Sequence, residues 1–215
     1  MKLYSFFASG TSYRTRIALN LKGLDYELVP VNLRTDEGLK SLEYRQLNAM
    51  GAVPTLVTDQ ATLVQSTAII EWLEEAHPEP ALLPKNPEDR AWVRALASIV
   101  GCDMHPVNNR RILQYLQKEL GCNQEQLDAW AQRWLKDGFD AMEQMLANDP
   151  RKGRFCYGDA PGLADIYLVT QLGGARRFKL DLTPYPTLLA IEAECAKLEA
   201  FQKAAPAKQP DFVAA

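Results

Sequence analysis

The sequence predicts two unlike domains: an α/β domain of order βαβαββα over residues 1–80 and an all-helical domain over residues 88–215, joined by a linker at 81–87. Two observations predict the split. Short alternating apolar runs interleave with helical-period runs as far as Ala76, whereas beyond Asp89 only the helical period persists. Between them Pro78, Pro80, Pro84 and Pro87 crowd around Ala81-Leu82-Leu83, a composition change suited to a linker. A third observation concerns size: 215 residues, 47% hydrophobic and 24% charged, suffice for one large or two modest cores.

The elements follow in order. Lys2 to Phe6 has the aromatic and apolar content of a strand, and Arg14 to Leu21 sets Ile17, Ala18 and Leu21 at helical spacing before Lys22-Gly23 closes the helix. Tyr26 to Val31 alternates as a second strand, parallel to the first because a helix intervenes. Pro30 suits that strand to a sheet edge. A weaker helix is expected over Leu39 to Leu47. Val53 to Val57 and Ala61 to Val64, flanking Thr58-Asp59-Gln60, read as a hairpin, and Thr67 to Ala76 as an amphipathic helix with Ile69, Ile70 and Leu73 on one side. This is the element order of a thioredoxin-like domain. Beyond the linker, helices are expected over Asp89 to Val107, Ile112 to Leu120, Leu127 to Leu146, Leu163 to Leu172 and Leu188 to Leu198, with a loosely ordered tail after Pro206.

Composition narrows the function. A formal net charge of −3 speaks against a nucleic-acid-binding face. No apolar run is long enough to span a bilayer and no signal-peptide core precedes the first strand, so a cytoplasmic protein with no membrane partner is expected. Cys102, Cys122, Cys156 and Cys195 form no C-x-x-C pair and the chain has only two histidines, His77 and His105. No metal site or disulfide framework is expected, and the cysteines read as reduced core residues.

Three stretches of the first domain carry chemistry. Ser9-Gly10-Thr11-Ser12 between strand and helix offers hydroxyls and helix N-terminal amides to an anion, a thiolate or a carboxylate. By local pattern alone it reads as a plain helix cap. Val53-Pro54 before a strand is either a trans turn proline or a cis bond that presents the Val53 N–H and C=O to an extended peptide ligand. Gln65-Ser66 at a strand-to-helix junction offers a carboxylate site, or an N-cap at Ser66. In the second domain Arg110-Arg111 and Arg176-Arg177 are either solvated charges or, one from each pair, a clamp for a dicarboxylate. His105 either donates to a carboxylate or is a satisfied, half-buried side chain.

Together these features resemble a cytosolic glutathione transferase over essentially the whole chain. Ser9-x-x-Ser12-x-Arg14-x-Arg16-Ile17-Ala18-Leu19 is similar to the zeta-class signature Ser-Ser-Cys-x-Trp-Arg-x-Arg-Ile-Ala-Leu. Gln65-Ser66-x-Ala68-Ile69-Ile70-Glu71-x-Leu73-Glu74-Glu75 and Asp181-Leu182-Thr183-Pro184-Tyr185-Pro186 match the same class. Gly10-Thr11, His105 and Asn108-Asn109-Arg110-Arg111 resemble its bacterial maleylpyruvate isomerases.

The resemblance implies the glutathione transferase fold, a homodimer, and glutathione as coenzyme or co-substrate with no metal. Ser9 and Thr11 would be catalytic, Ser9 donating to the glutathione sulfur with Thr11, in the place of the signature cysteine, in support. A free thiol with pKa about 8.5 is mostly protonated at neutral pH, so such donors raise the reactive fraction. Gly10 belongs to the same site, Val53 would pair with the cysteinyl backbone, and Gln65 and Ser66 would take the γ-glutamyl carboxylate. His105 and Asn109 would reach the glycyl end or the substrate. The implied activity is cis–trans isomerisation of a maleyl keto acid by thiolate addition, rotation and elimination, with Arg110, Arg177 and, more weakly, Arg176 on the acid. The alternatives are conjugation or dehalogenation of small electrophilic acids, or glutathione-fold binding without catalysis. Four positions depart from the pattern: Ala8 stands where an arginine commonly precedes the signature, Gly10 and Thr11 replace serine and cysteine, and Gly162 stands where a hydroxyl cap usually precedes Asp165.

Overall fold

Alternation along β1 (Lys2–Ser5) buries Leu3 and Ser5 and leaves Lys2 exposed, which makes this strand the base of a four-stranded sheet. The computed structural model of the chain describes residues 1–33 and 41–213. Ser9 caps α1 (Gly10–Leu21), its hydroxyl accepting from Ser12 N at 3.2 Å. The cap starts the helix one turn before the expected Arg14. Gly23, at φ +66°, ends it, with Leu24 N donating to Leu19 O at 3.0 Å. After α1 comes β2 (Glu27–Pro30), parallel to β1 and at the sheet edge as Pro30 suggested. Ser41 caps α2 (Leu42–Leu47). The first residues of the helix expected there, Leu39 and Lys40, lie outside the described residues.

The hairpin of β3 (Thr55–Val57) and β4 (Thr62–Val64) completes the sheet in the order β2-β1-β3-β4, with β3 antiparallel to both neighbours. The register sets Tyr4 against Thr55 and Thr55 against Val64. The exit of β1, the entry of β3 and the exit of β4 therefore share one end of the sheet. Leaving β4 directly, α3 (Ser66–Ala76) buries Ile69, Ile70 and Leu73 and packs against α1. A buried Lys22 Nζ lies 2.7 Å from Glu74 Oε2 and 2.8 Å from Pro80 O, while Leu82 N donates to the same carboxylate oxygen. One buried ion pair thus holds the chain that leaves α3.

The second unit, Leu83–Cys195, is helical. Its helices are α4 (Pro87–Ser98), which runs on into a π-helical turn at Ile99–Met104, α5 (Arg110–Glu119), α6 (Gln124–Ala147), α7 (Leu163–Arg177) and α8 (Pro186–Cys195). The run expected over Asp89 to Val107 is α4 plus the π turn. Buried for most of its length, α7 is the centre of this unit. Gly162 has no hydroxyl to cap it, and Asp165 takes over by accepting from Gly162 N and Cys156 N, each at 2.8 Å. Burial pushes the Asp165 carboxyl above the ordinary carboxylate range.

The structure departs from the expectations at three points. The first unit comprises Met1–Leu82 together with the chain from Ala196 on, so the C-terminal stretch does not belong with residues 88–195. The reason is a short helix, α9 (Glu199–Ala204), which packs on α1: Asn20 Nδ2 donates to Ala200 O and Arg16 Nε to Ala204 O, both at 2.9 Å. Nor is the tail loose over residues 206–212; the last two residues of the expected loose stretch, Ala214 and Ala215, lie outside the described residues. The tail forms a 3-10 turn, Pro206–Lys208, and the Gln209 amide turns back to Lys203 O and Ala205 O at 2.9 Å. All four cysteines are free, but only Cys156 and Cys195 are buried; Cys102 is exposed on the π turn, not a core residue. Among the described residues no helix is long and apolar enough to cross a membrane.

Candidate functional site

The three stretches singled out in the first domain, Ser9-Gly10-Thr11, Val53 and Gln65-Ser66, flank the strand termini that meet at one end of the sheet. Both α1 and α3 begin there, so two helix N-termini, with their amides and positive dipole ends, serve the same end. A ligand with two anionic groups and an extended middle matches that donor set.

Ser9, Thr11 and Val53 form a directional chain. The Thr11 hydroxyl donates to Val53 O at 2.9 Å. A carbonyl can only accept, so Thr11's single proton is committed, and the 2.9 Å contact between Ser9 Oγ and Thr11 Oγ1 is donated by Ser9. Ser9 Oγ in turn accepts from Ser12 N. Ser9 is therefore the helix cap and also a hydroxyl with a movable proton. Val53-Pro54 is cis, yet the Val53 carbonyl is already engaged by Thr11, contrary to the expectation that both its polar groups stand open.

The loop before Val53 is held by a buried polar cluster. Tyr44 Oη donates to Ala52 O at 2.7 Å and lies 2.9 Å from Thr55 Oγ1, and Asn48 Nδ2 reaches the same two acceptors at 2.7 and 3.1 Å. Burial raises the Tyr44 phenol, so it stays a neutral donor. At the other stretch, Ser66 is not the N-cap. It is the first helical residue, buried, and the cap position is Gln65, whose side chain makes no capping bond and whose φ is +69°. A left-handed glutamine is strained, and such backbone persists where its surroundings fix it, commonly at ligand sites.

In the second unit Asn109 caps α5 by accepting from Arg111 N at 3.1 Å, and His105 is half-buried at the end of the π turn, its backbone N–H bonded to Val100 O. The two arginine pairs sit at opposite helix ends. Arg110 and Arg111 are exposed in the first turn of α5, where no acidic residue balances them, and Gln114, with its amide oxygen toward Arg110, accepts from Arg110 Nε and Nη2 at 3.1 Å. Arg176 and Arg177 are exposed in the last turn of α7, where the dipole favours cations. Arg176 makes a two-pronged pair with Glu192, at 2.6 and 2.5 Å.

Two residues at the site's foundation carried no assigned role in the sequence. Arg16 is fully buried beneath the loop that leads to Ser9, with Nη1 on Ser5 Oγ at 3.0 Å and Nη2 on Phe7 O at 3.1 Å. Burial pulls its guanidinium down to about 10, which leaves it charged at neutral pH. A cation embedded in Arg16-Ile17-Ala18-Leu19 was the available signal. Asp211, which accepts from Phe7 N at 2.9 Å, had none, since its partner lies 204 positions away.

Residues 3–81 match the family described as glutathione S-transferase, N-terminal domain. The chain is 56% identical over 211 residues to a maleylpyruvate isomerase of Ralstonia sp, covering 98% of this chain and 99% of that one. A holo structure of maleyl pyruvate isomerase, described as a bacterial glutathione S-transferase of the zeta class, superposes with a TM-score of 0.97 at 54% identity, covering 99% of this chain and 100% of the other. A maleylacetoacetate isomerase of Methylobacterium extorquens AM1, solved with malonate and glutathione bound, superposes at 0.95 with 36% identity over the full length of both chains.

Proposed function

The chain belongs to the zeta class of glutathione transferases, and from that membership we propose that it is a glutathione-dependent cis–trans isomerase of a maleyl keto acid, maleylpyruvate or maleylacetoacetate, giving the fumaryl product. The observation that carries this reading is the Ser9-Thr11 hydroxyl pair at the start of α1, tied to Val53 O. The donor set fits glutathione: hydroxyls and helix amides for the sulfur, the Val53 backbone for the peptide, and buried Ser66 at the start of α3 for the γ-glutamyl carboxylate.

When bound, glutathione supplies a thiolate that adds to the cis double bond, lets it turn as a single bond, and departs. The chain's residues make that possible in sequence. Ser9 swings its proton from Thr11 toward the sulfur, and Thr11 then turns its own proton to Ser9, which releases Val53 O to a peptide N–H. The donors favour the anion and raise the thiolate fraction at neutral pH. Arg110 and Arg177, with Arg176 in a lesser role, take the carboxylates and the negative charge that grows on the keto oxygen, an interaction stronger in the transition state than in the ground state. Arg110 is the leading candidate, because a cation at a helix N-terminus is unfavourable until an anion joins it. His105 and Asn109 serve the glycyl end or the substrate. The same membership supports a homodimer, and four free cysteines accord with a reducing, cytoplasmic setting.

The test is to mix protein, glutathione and either keto acid and follow the cis enol absorbance. Loss of absorbance with glutathione recovered unchanged is expected; glutathione binding without turnover on either acid would overturn the reading. Ala8, in place of the signature's arginine, favours a second reading in which small electrophilic acids are conjugated or dehalogenated. That activity leaves the sulfur attached to the acid or releases halide, neither of which isomerisation does.

A further inference from the structure

We propose that Asp211, on the C-terminal tail, is a positioning residue for Ser9, acting with Arg16 to hold the loop between β1 and α1 by the amide and the carbonyl of Phe7. The inference rests on the reading of Ser9 as the thiolate donor. Phe7, two residues before Ser9, turns its carbonyl to the buried Arg16 guanidinium at 3.1 Å and its amide to Asp211 Oδ2 at 2.9 Å. Arg16 Nη1 also reaches Phe6 O at 3.5 Å, and Phe6 O accepts from Ser9 N at 3.1 Å, closing the turn that delivers Ser9 to the helix start. A cation and a carboxylate thus hold the carbonyl and the amide of one residue.

Asp211 acts through charge as well as through a hydrogen bond. Its field favours the protonated form of Arg16, whose burial opposes that charge. Its Oδ1 is buried and accepts no hydrogen bond among the described residues, so the second oxygen contributes field alone. The tail is itself braced: Phe212 meets the Phe7 ring edge-to-face at 5.4 Å, Phe212 N donates to Gln209 O, and the Gln209 amide is tied to Lys203 O and Ala205 O. A chain end that merely covered apolar surface would not require a carboxylate against a backbone amide.

The experiment compares wild type, Asp211→Ala, Asp211→Asn and Ser9→Ala by calorimetric titration with glutathione and with S-methylglutathione, and by ultraviolet titration of the bound thiol. In Asp211→Ala the bound thiol should titrate about one unit higher and glutathione should bind about ten-fold more weakly at neutral pH, with S-methylglutathione affinity unchanged. Asp211→Asn keeps an acceptor for Phe7 N but loses the charge, and should fall between. If Asp211→Ala fails to fold, the asparagine variant decides alone. An unchanged thiol titration in both variants, or equal weakening of both ligands, overturns the proposal, the latter because it marks a merely structural tail. Ser9→Ala separates the two readings: if it leaves the thiol titration unmoved, the Ser9 assignment fails. If it shifts the titration and the Asp211 variants do not, only the clamp fails.

Discussion

The sheet end of the first unit and the arginine pairs of the second meet their expected ligand groups in opposite ways. At the sheet end the groups are backbone amides, one carbonyl and short hydroxyls, each fixed by the elements that carry it. The arginines are long, exposed side chains, and what fixes them is a neighbour: Gln114 for Arg110, Glu192 for Arg176. A site made of backbone is finished when the fold is, whereas a site made of arginines is completed by its anion. The pairs differ from each other too, since the same dipeptide opposes the dipole at the start of α5 and satisfies it at the end of α7.

That contrast can be broken most forcefully at Ser9. Ser9→Ala should lower kcat/KM by about a hundred-fold, as for other lost donors to a developing anion, and lower stability by about 1 kcal/mol for the missing cap. Steady-state kinetics beside denaturant unfolding would check both, and a loss of stability without loss of rate would return Ser9 to a plain cap. Next, Arg110→Ala should cost about ten-fold in kcat/KM for the dicarboxylate while leaving glutathione affinity alone, and should not destabilise the protein, since a cation leaves a helix N-terminus. Arg177→Ala should cost less rate and slightly lower the melting temperature, because a favourable helix-end charge is lost. Equal behaviour of the two variants would erase the distinction between the pairs.

Arg176→Ala should change kcat/KM by about two-fold at most, its guanidinium being engaged by Glu192 in an exposed pair of small net worth. A larger loss would mean that the acid displaces Glu192. The smallest effect concerns a pair with no part in either site. Arg151 holds the Asp149 carboxyl at about 2, below its ordinary 3.8, while its guanidinium stacks 3.7 Å over Trp92. A folded pKa below the unfolded one means that its stabilising contribution is present above 3.8 and lost as pH falls toward 2. A carboxyl titration by NMR should show a midpoint near 2 that returns toward 3.8 in Arg151→Ala, with activity at neutral pH unaltered.

The Ser9 stretch, Val53-Pro54 and Gln65-Ser66 were legible as element ends because their signals are local: the residues that make a cap, a proline loop or a helix start are adjacent in sequence. Gln65 shows the limit of that legibility. Glutamine before serine reads as two polar side chains, and only the structure reveals that the glutamine backbone is left-handed and that Ser66 is inside the helix. Thr11 shows another, since its bond to Val53 O spans 42 positions and fixes which of the two hydroxyls donates in the Ser9–Thr11 contact.

By itself the sequence determined the element order, the division between a mixed and a helical unit, and the placing of small hydroxyl residues and a proline at element ends, because periodicity and capping are local properties of the chain. Tertiary structure alone decided that the tail folds with the first unit, that Asp211 faces the loop before Ser9, and that two like arginine pairs lie in unlike fields. Those outcomes depend on which backbone amide or helix end a charge meets across the fold, and a pairing such as Asp211 with Phe7 leaves no pattern in the residues around either partner.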